Sequence, residues 1–311
     1  MSENQNESLT VKEVFEAFLK KLKVSNVSNY TIIYYKDTLS YFIEYIGADT
    51  ISKLITNEMI EDYIIYLKDK RQIKDITINS YLRAIRAFIK FGQERNNIDK
   101  QIKVKMIKTE KQIKENYSDQ ELEILLKKPD KKSCTFTEFK TWAFVNYLLG
   151  TGNRITTAIN VKICDIDFDN FTITLQKTKN RKQQIIPLSN TLAEILQEYL
   201  CVRGGSPDDY LFCNQYGEQS TRGAYQKLVI KYNKKRGVNK TSVHAFRHTF
   251  AKNWILSGGD IFRLQKILGH SDISVTKEYL QMFGQDLQMD FERFNALDRL
   301  NNHKKSNRIK M

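Results

Sequence analysis

The chain has 311 residues, enough for about two domains at roughly 150 residues each, and its 41% hydrophobic content is sufficient for ordinary buried cores. The 50 Lys and Arg against 36 Asp and Glu leave a formal charge of +14, which suits a polyanionic partner and argues against an acidic-surface role. The longest apolar stretch, Trp142–Leu149, falls far short of the ~20 residues that cross a bilayer, and nothing upstream resembles a secretion signal. Cys134, Cys164, Cys201 and Cys213 lack metal-ligand spacing and read as reduced thiols, so a cytoplasmic protein without a membrane partner or metal site is expected.

In chain order, residues 1–9 are polar. Thr10-Val11-Lys12-Glu13 then has the form of a capping box, and Val14, Phe15, Phe18, Leu19 and Leu22 follow at helical spacing. Further helical patterns run over Tyr30–Tyr45, Asn57–Leu67 and Thr77–Gln93, giving a four-helix unit with short connections. In the fourth helix Ile78, Leu82, Ile85 and Ile89 form a core stripe. A second stripe of Asn79, Arg83, Arg86 and Lys90 is either a solvated face or a phosphate-contacting one. Residues 98–116 carry six lysines and neither Gly nor Pro; they read as an extended basic connector or a solvated helix extension. Lys103 and Lys105 in it are candidate phosphate contacts.

Ser118-Asp119-Gln120-Glu121 is a second capping box and opens the next domain. A helix around Phe139–Leu149 leads to Gly150-Thr151-Gly152-Asn153-Arg154. Ile166–Phe168, an Asp169-Asn170 turn and Phe171–Leu175 predict a hairpin, and Gln184–Leu188 a third strand. Between them lies a basic loop holding Lys177, Lys179, Arg181 and Lys182. The remainder is mostly helical and ends in an apolar stripe, Phe283, Leu287, Phe291, Phe294, Leu297 and Leu300, before a basic tail. The fold class expected is mainly α with a small antiparallel sheet.

The chemistry lies in the last quarter. His244-Ala245-Phe246-Arg247-His248 puts His244 and Arg247 on one helical face, where one donor and one cation reach the same phosphate. Leu268-Gly269-His270 and Tyr279 follow. A phenol is a nucleophile, and Arg with His offsets the charge that grows on phosphorus oxygens during displacement. Any one of these residues alone would be a packing or surface group; the ordered set points to covalent catalysis on a phosphodiester.

With those motifs in place, the chain resembles a tyrosine recombinase, the phage-integrase family of site-specific DNA recombinases, over nearly all of its length. GTGNRITTAINVKICDID is similar to the segment bearing the family's first catalytic arginine, which falls on Arg154. In TKNRKQQIIPL the hairpin lysine falls on Lys179, with Lys177, Arg181 and Lys182 as loop neighbours that contact DNA. HAFRHTFA places the H-x-x-R pair on His244 and Arg247, and LGHSDISVTKEY places the late histidine on His270 and the nucleophile on Tyr279. Thr157 stands where the family often has an acid, and Asn153 where an apolar residue is frequent.

The resemblance implies a helical, SAM-like core-binding domain over 1–97, a basic linker over 98–116, a mixed α/β catalytic domain over 117–292, and a C-terminal helix with basic tail over 293–311. Together they would form a C-shaped clamp on double-stranded DNA. It further implies a 3′-phosphotyrosyl intermediate formed without cofactor, metal or ATP. The partners implied are the DNA site, a tetramer of the chain built through the C-terminal helix, and accessory or directionality factors. The integrase of a mobile genetic element is the expected member. A Xer-like dimer resolvase, a relaxing type IB topoisomerase and a nonenzymatic DNA-binding protein on the same scaffold are the alternatives.

Overall fold

In the computed structural model, which describes residues 9–109, 115–176 and 183–283, the first capping box forms as the sequence predicts. Thr10 N–H donates to Glu13 Oε2 at 2.8 Å and Glu13 N–H to Thr10 Oγ1 at 3.2 Å, so two otherwise orphaned donors are satisfied at the start of α1 (Val11–Val24). Ser28 and Thr56 cap α2 (Asn29–Ile46) and α3 (Asn57–Asp69) by the same side-chain oxygen to backbone contact. The fourth helix, α4 (Asp75–Glu94), turns Ile78, Leu82, Ile85, Phe88 and Ile89 inward against Val14, Phe18, Leu39 and Phe42. Each such burial contributes roughly 1.5–3 kcal/mol.

The segment after α4 departs from the expected open connector. Over 98–107 it lies against the first unit as a strap, with Ile98, Ile102 and Val104 buried in that unit's core. Alternation explains this: in Ile102-Lys103-Val104-Lys105 successive side chains of an extended chain point to opposite sides, so the apolar ones turn in and the lysines stay exposed. Gly92 permits the approach, because a Cβ there would lie 2.4 Å from Ile98 Cδ1.

The strap also corrects the reading of the polar stripe on α4. Asn79 is buried and not available to a phosphate; its Nδ2 donates to Ile107 O at 2.8 Å and its Oδ1 accepts from Ile107 N–H at 2.8 Å. Arg86 donates through Nε at 3.1 Å and Nη2 at 2.6 Å to Val104 O. Arg83 and Lys90 remain exposed. A polar residue beside a core stripe is thus paired with backbone that would otherwise be unsatisfied.

The chain divides into two units, Met1–Gln112 and Ile113–Met311, each with a core of its own. The second opens with the Ser118–Glu121 capping box and α5 (Asp119–Leu126). Its central helix, α6 (Phe136–Thr151), is apolar on nearly all sides and packs against α5, α8, α9 and α10. A short turn of helix, α7 (Ile155–Ala158), follows.

Three antiparallel strands come next, in order β1 (Ile166–Asp167), β2 (Thr172–Leu175) and β3 (Gln184–Pro187). Ile173 faces Ile166 on one side and Ile186 on the other, and all three are buried, which fixes the register by the hydrophobic face. The helices α8 (Asn190–Arg203), α9 (Arg222–Lys235), α10 (His244–Leu256), α11 (Ile261–Leu268) and α12 (Ile273–Phe283) complete the described fold. No described helix is long and apolar enough to cross a membrane. The expected C-terminal stripe from Leu287 to Leu300 and the basic tail lie outside the described residues, as does the side chain of Phe283.

Candidate active site

Three helix ends converge on one arginine. Helix α6 stops at Gly152, which adopts a left-handed conformation (φ +63°) under Phe250 and Leu268, where a Cβ would lie 2.5 Å from the Phe250 ring. Helix α11 stops in the same way at Gly269. Both turns leave a carbonyl for Arg247, near the start of α10: Nη1 donates to Gly152 O and Nη2 to Leu268 O, each at 2.8 Å. Helix C-termini carry partial negative charge, so the cation is held where the backbone favours it.

Arg154 approaches the same spot from the start of α7, with Nη1 3.5 Å from Leu268 O. The residue before it, Asn153, is buried and donates from Nδ2 to the Tyr147 hydroxyl at 2.9 Å, which satisfies a polar group at the position where an apolar one was expected. Thr157, where an acid was expected, donates its N–H to Arg154 O at 2.9 Å to close the turn. Among the described residues neither Arg154 nor Arg247 has a carboxylate partner. Burial pulls the Arg247 guanidinium down to about 10, with Arg154 adding to the shift and Tyr279 opposing it by charge and hydrogen bonding. Burial lowers Arg154 too, again opposed by Tyr279. The pair is a desolvated positive hole that gains from an anion.

His270 sits over this hole with Nε2 2.6 Å from Arg247 Nη2 and Nδ1 2.8 Å from Thr276 Oγ1. A guanidinium has donors only, so Nε2 accepts and Nδ1 carries the proton, which it donates to the buried threonine. His244 is the first residue of α10 and faces solvent at the rim. Its pKa lies below the ordinary histidine value, through burial of the ring's inner face first and then the charges of Arg247, Arg222 and Arg154.

Tyr279, on α12, is 2% exposed and packs with Ala251, Leu264 and Leu268. Its hydroxyl lies 2.7 Å from His248 Nδ1.

The structure therefore gathers Arg154, Arg247, His270 and Tyr279 within one unit, with His244 at the edge. Lys179 and its neighbours Lys177, Arg181 and Lys182 lie outside the described residues. One end of their loop is tied back by Gln176, whose Nε2 donates to Asp165 Oδ1 at 3.0 Å, and the other reaches the site's edge through Gln184, whose Nε2 donates to Ile267 O at 3.1 Å and to Lys266 O, beside the Leu268 carbonyl. Lys103 and Lys105 are exposed on the strap of the other unit. Sequence reasoning passed over His248, Thr276 and Arg222. His248 was in view as the last letter of the His244 motif, and Thr276 stands one helical turn before Tyr279.

A family model for the phage integrase family matches residues 115–285, and one for the phage integrase SAM-like domain matches residues 10–107. The chain belongs to the phage integrase family. Its relatives are tyrosine recombinases. The tyrosine recombinase XerC of Leptospira interrogans is 28% identical over 282 residues, covering 88% of this chain and 90% of the relative. XerD of Staphylococcus epidermidis is 26% identical over 292 residues, covering 90% and 98%. The Tn1549 transposon integrase, solved with transposon right end DNA, shares the fold with a TM-score of 0.74 at 20% identity, covering 96% of this recombinase and 99% of that chain. The XerH site-specific recombinase, solved with a palindromic difH substrate, shares it with a TM-score of 0.71 at 24% identity, covering 88% and 82%.

Proposed function

We propose that this recombinase breaks and rejoins double-stranded DNA at a specific site through a covalent bond from Tyr279 to a 3′-phosphate. The observation that carries the reading is the pair of guanidiniums, desolvated, with no carboxylate partner among the described residues, and set against a phenol. Such a hole stabilises a phosphoryl group most when its equatorial oxygens gain charge in the transition state. Tyr279 Oη attacks phosphorus, the new O–P bond forms, and the bond to the 5′-oxygen breaks with its electron pair leaving on that oxygen. Arg154 and Arg247 hold the non-bridging oxygens; His244 donates a hydrogen bond to them, and His270 orients the Arg247 guanidinium by accepting from Nη2 at Nε2. Lys179 gives the departing 5′-oxygen its proton. Rejoining is the same step in reverse, with a 5′-hydroxyl from a second duplex as nucleophile, so the energy of the broken bond is retained in the tyrosyl ester.

A mobile-element integrase is the reading supported by the sequence EYLQMFGQDLQMDFERFNALD after the late histidine. A dimer resolvase is supported by the relatives named XerC and XerD, which align along most of the chain. The proposed assembly in synapsis is four copies joined through the C-terminal helix. A λ integrase has been solved as a tetramer on a Holliday junction. The test uses a DNA substrate nicked next to its cleavage position so that the cut strand diffuses away. The wild-type chain is expected to accumulate a covalent protein–DNA adduct and Tyr279→Phe none; an adduct with Tyr279→Phe would refute the assignment. With two marked sites, exchange between unlike element ends indicates an integrase, and resolution between identical sites a resolvase.

A further inference from the structure

Displacement by a phenol requires a group to take its proton, and the cations, His244 and His270 do not supply one. Arg154 and Arg247, which both reach the Leu268 carbonyl, are donors only and accept nothing. His270 has Nε2 engaged by Arg247 and Nδ1 by Thr276. His244 lies one turn before His248 on α10, its ring centroid 6.3 Å from that of His248, and it faces solvent. Lys179 has the opposite task at the leaving oxygen. His248 Nδ1, in contrast, is 2.7 Å from the Tyr279 hydroxyl, within reach for direct proton transfer.

In the tautomer of neutral His248 that carries its proton on Nε2, Nδ1 is bare and accepts the hydrogen of the Tyr279 phenol. Helix α10 enforces the arrangement: Arg247 and His248 are adjacent, and Thr249 locks the turn from the far side by donating to Ala245 O at 2.8 Å while accepting from Tyr117 N–H at 2.9 Å.

We infer that His248 is a catalytic residue, the general base that takes the Tyr279 proton during cleavage and returns it during rejoining. As the O–P bond forms, the phenolic proton moves to Nδ1 and the imidazole becomes imidazolium. The P–O5′ bond breaks with its pair on the 5′-oxygen, which is protonated by Lys179. In the return step the incoming 5′-hydroxyl gives its proton to Lys179 as it displaces the tyrosine, and the imidazolium reprotonates the phenolate. The inference rests on Tyr279 being the nucleophile.

The test measures single-turnover cleavage of the nicked substrate by the full chain, with DNA binding and thermal melting checked alongside. His248→Asn places an amide oxygen near Nδ1, so it keeps an acceptor for the phenol but takes no proton; His248→Ala removes both. Both variants are expected to cleave about 10²–10⁴-fold more slowly while binding DNA normally. A second substrate replaces the 5′-oxygen with sulfur. A thiolate leaves without a proton, so loss of an acid is rescued by it and loss of a base is not. Neither His248 variant is expected to be rescued, whereas Lys179→Ala is. Full activity of His248→Asn would reduce His248 to a structural hydrogen-bond partner, and rescue by sulfur would place it at the leaving group; either result overturns the inference. Both leave the nucleophile assignment standing, since that falls only if Tyr279→Phe forms the adduct.

Discussion

Thr276 Oγ1 is the accepting partner that keeps His270 in one tautomer, with Nε2 presented to the arginine side of the site. Removing that acceptor leaves a partly buried ring N–H unsatisfied, at a cost of about 1–3 kcal/mol, and frees the ring to turn. Thr276→Val keeps the shape and removes the oxygen. It is expected to slow cleavage of the nicked substrate by roughly tenfold or more, given about 1.4 kcal/mol per factor of ten, while Thr276→Ser retains the wild-type rate. Equal rates for the valine and wild-type chains would show that the tautomer is held by another group. The charged and nucleophilic candidates were legible because side chains with few alternative uses recur there in a tight order: His244 and Arg247 on one helical face, then His270 and Tyr279. Thr276 and His248 were not legible as site members. A threonine in a helix and a histidine behind an arginine have many ordinary roles, and only the packing of α12 against α10 makes these two partners of the site.

At the scale of elements, α4 and the strap form one piece. Asn79 satisfies both backbone groups of Ile107, and a methyl in its place leaves them without that partner. Asn79→Ala is expected to destabilise the first unit by about 1–3 kcal/mol, seen as a lower denaturant midpoint with an unchanged slope, and to speed amide exchange at Ile107. Unchanged exchange there would mean the strap is held by its apolar side chains alone. The helices were readable from caps and periodicity: α2 and α4 extend the predicted spans by one or two residues at each end, and α3 starts at the predicted Asn57 and runs two residues further. The strap was not readable as such, since the six lysines of 98–116 outweigh an alternation of only a few apolar residues. Its partner, the polar Asn79, counted as part of a solvated or DNA-facing stripe for the same reason: polarity alone does not distinguish water from a backbone carbonyl.

Over the whole molecule the charge of +14 is unevenly placed, with 6 basic against 3 acidic residues in 98–116 and 6 against 1 in 293–311. In the proposed DNA complex Lys103 and Lys105 are phosphate contacts, because the strap buries the residue between them and turns both outward. Removing one lysine–phosphate pair is expected to reduce the slope of log K against log salt by about 0.9. Lys103→Ala with Lys105→Ala should therefore flatten the slope by nearly two and weaken specific and nonspecific DNA alike. A slope equal to that of the wild-type chain would remove the strap from the interface.

The seat of Tyr279 among Ala251, Leu264 and Leu268 bears on what happens when the reaction pauses. The ester proposed on this residue, itself 2% open to solvent, lies in surroundings that hold little bulk water, so hydrolysis competes poorly with religation. In the proposed reaction a broken strand then waits for an aligned DNA end, and a failed exchange closes back to the parental duplex and leaves no lasting nick.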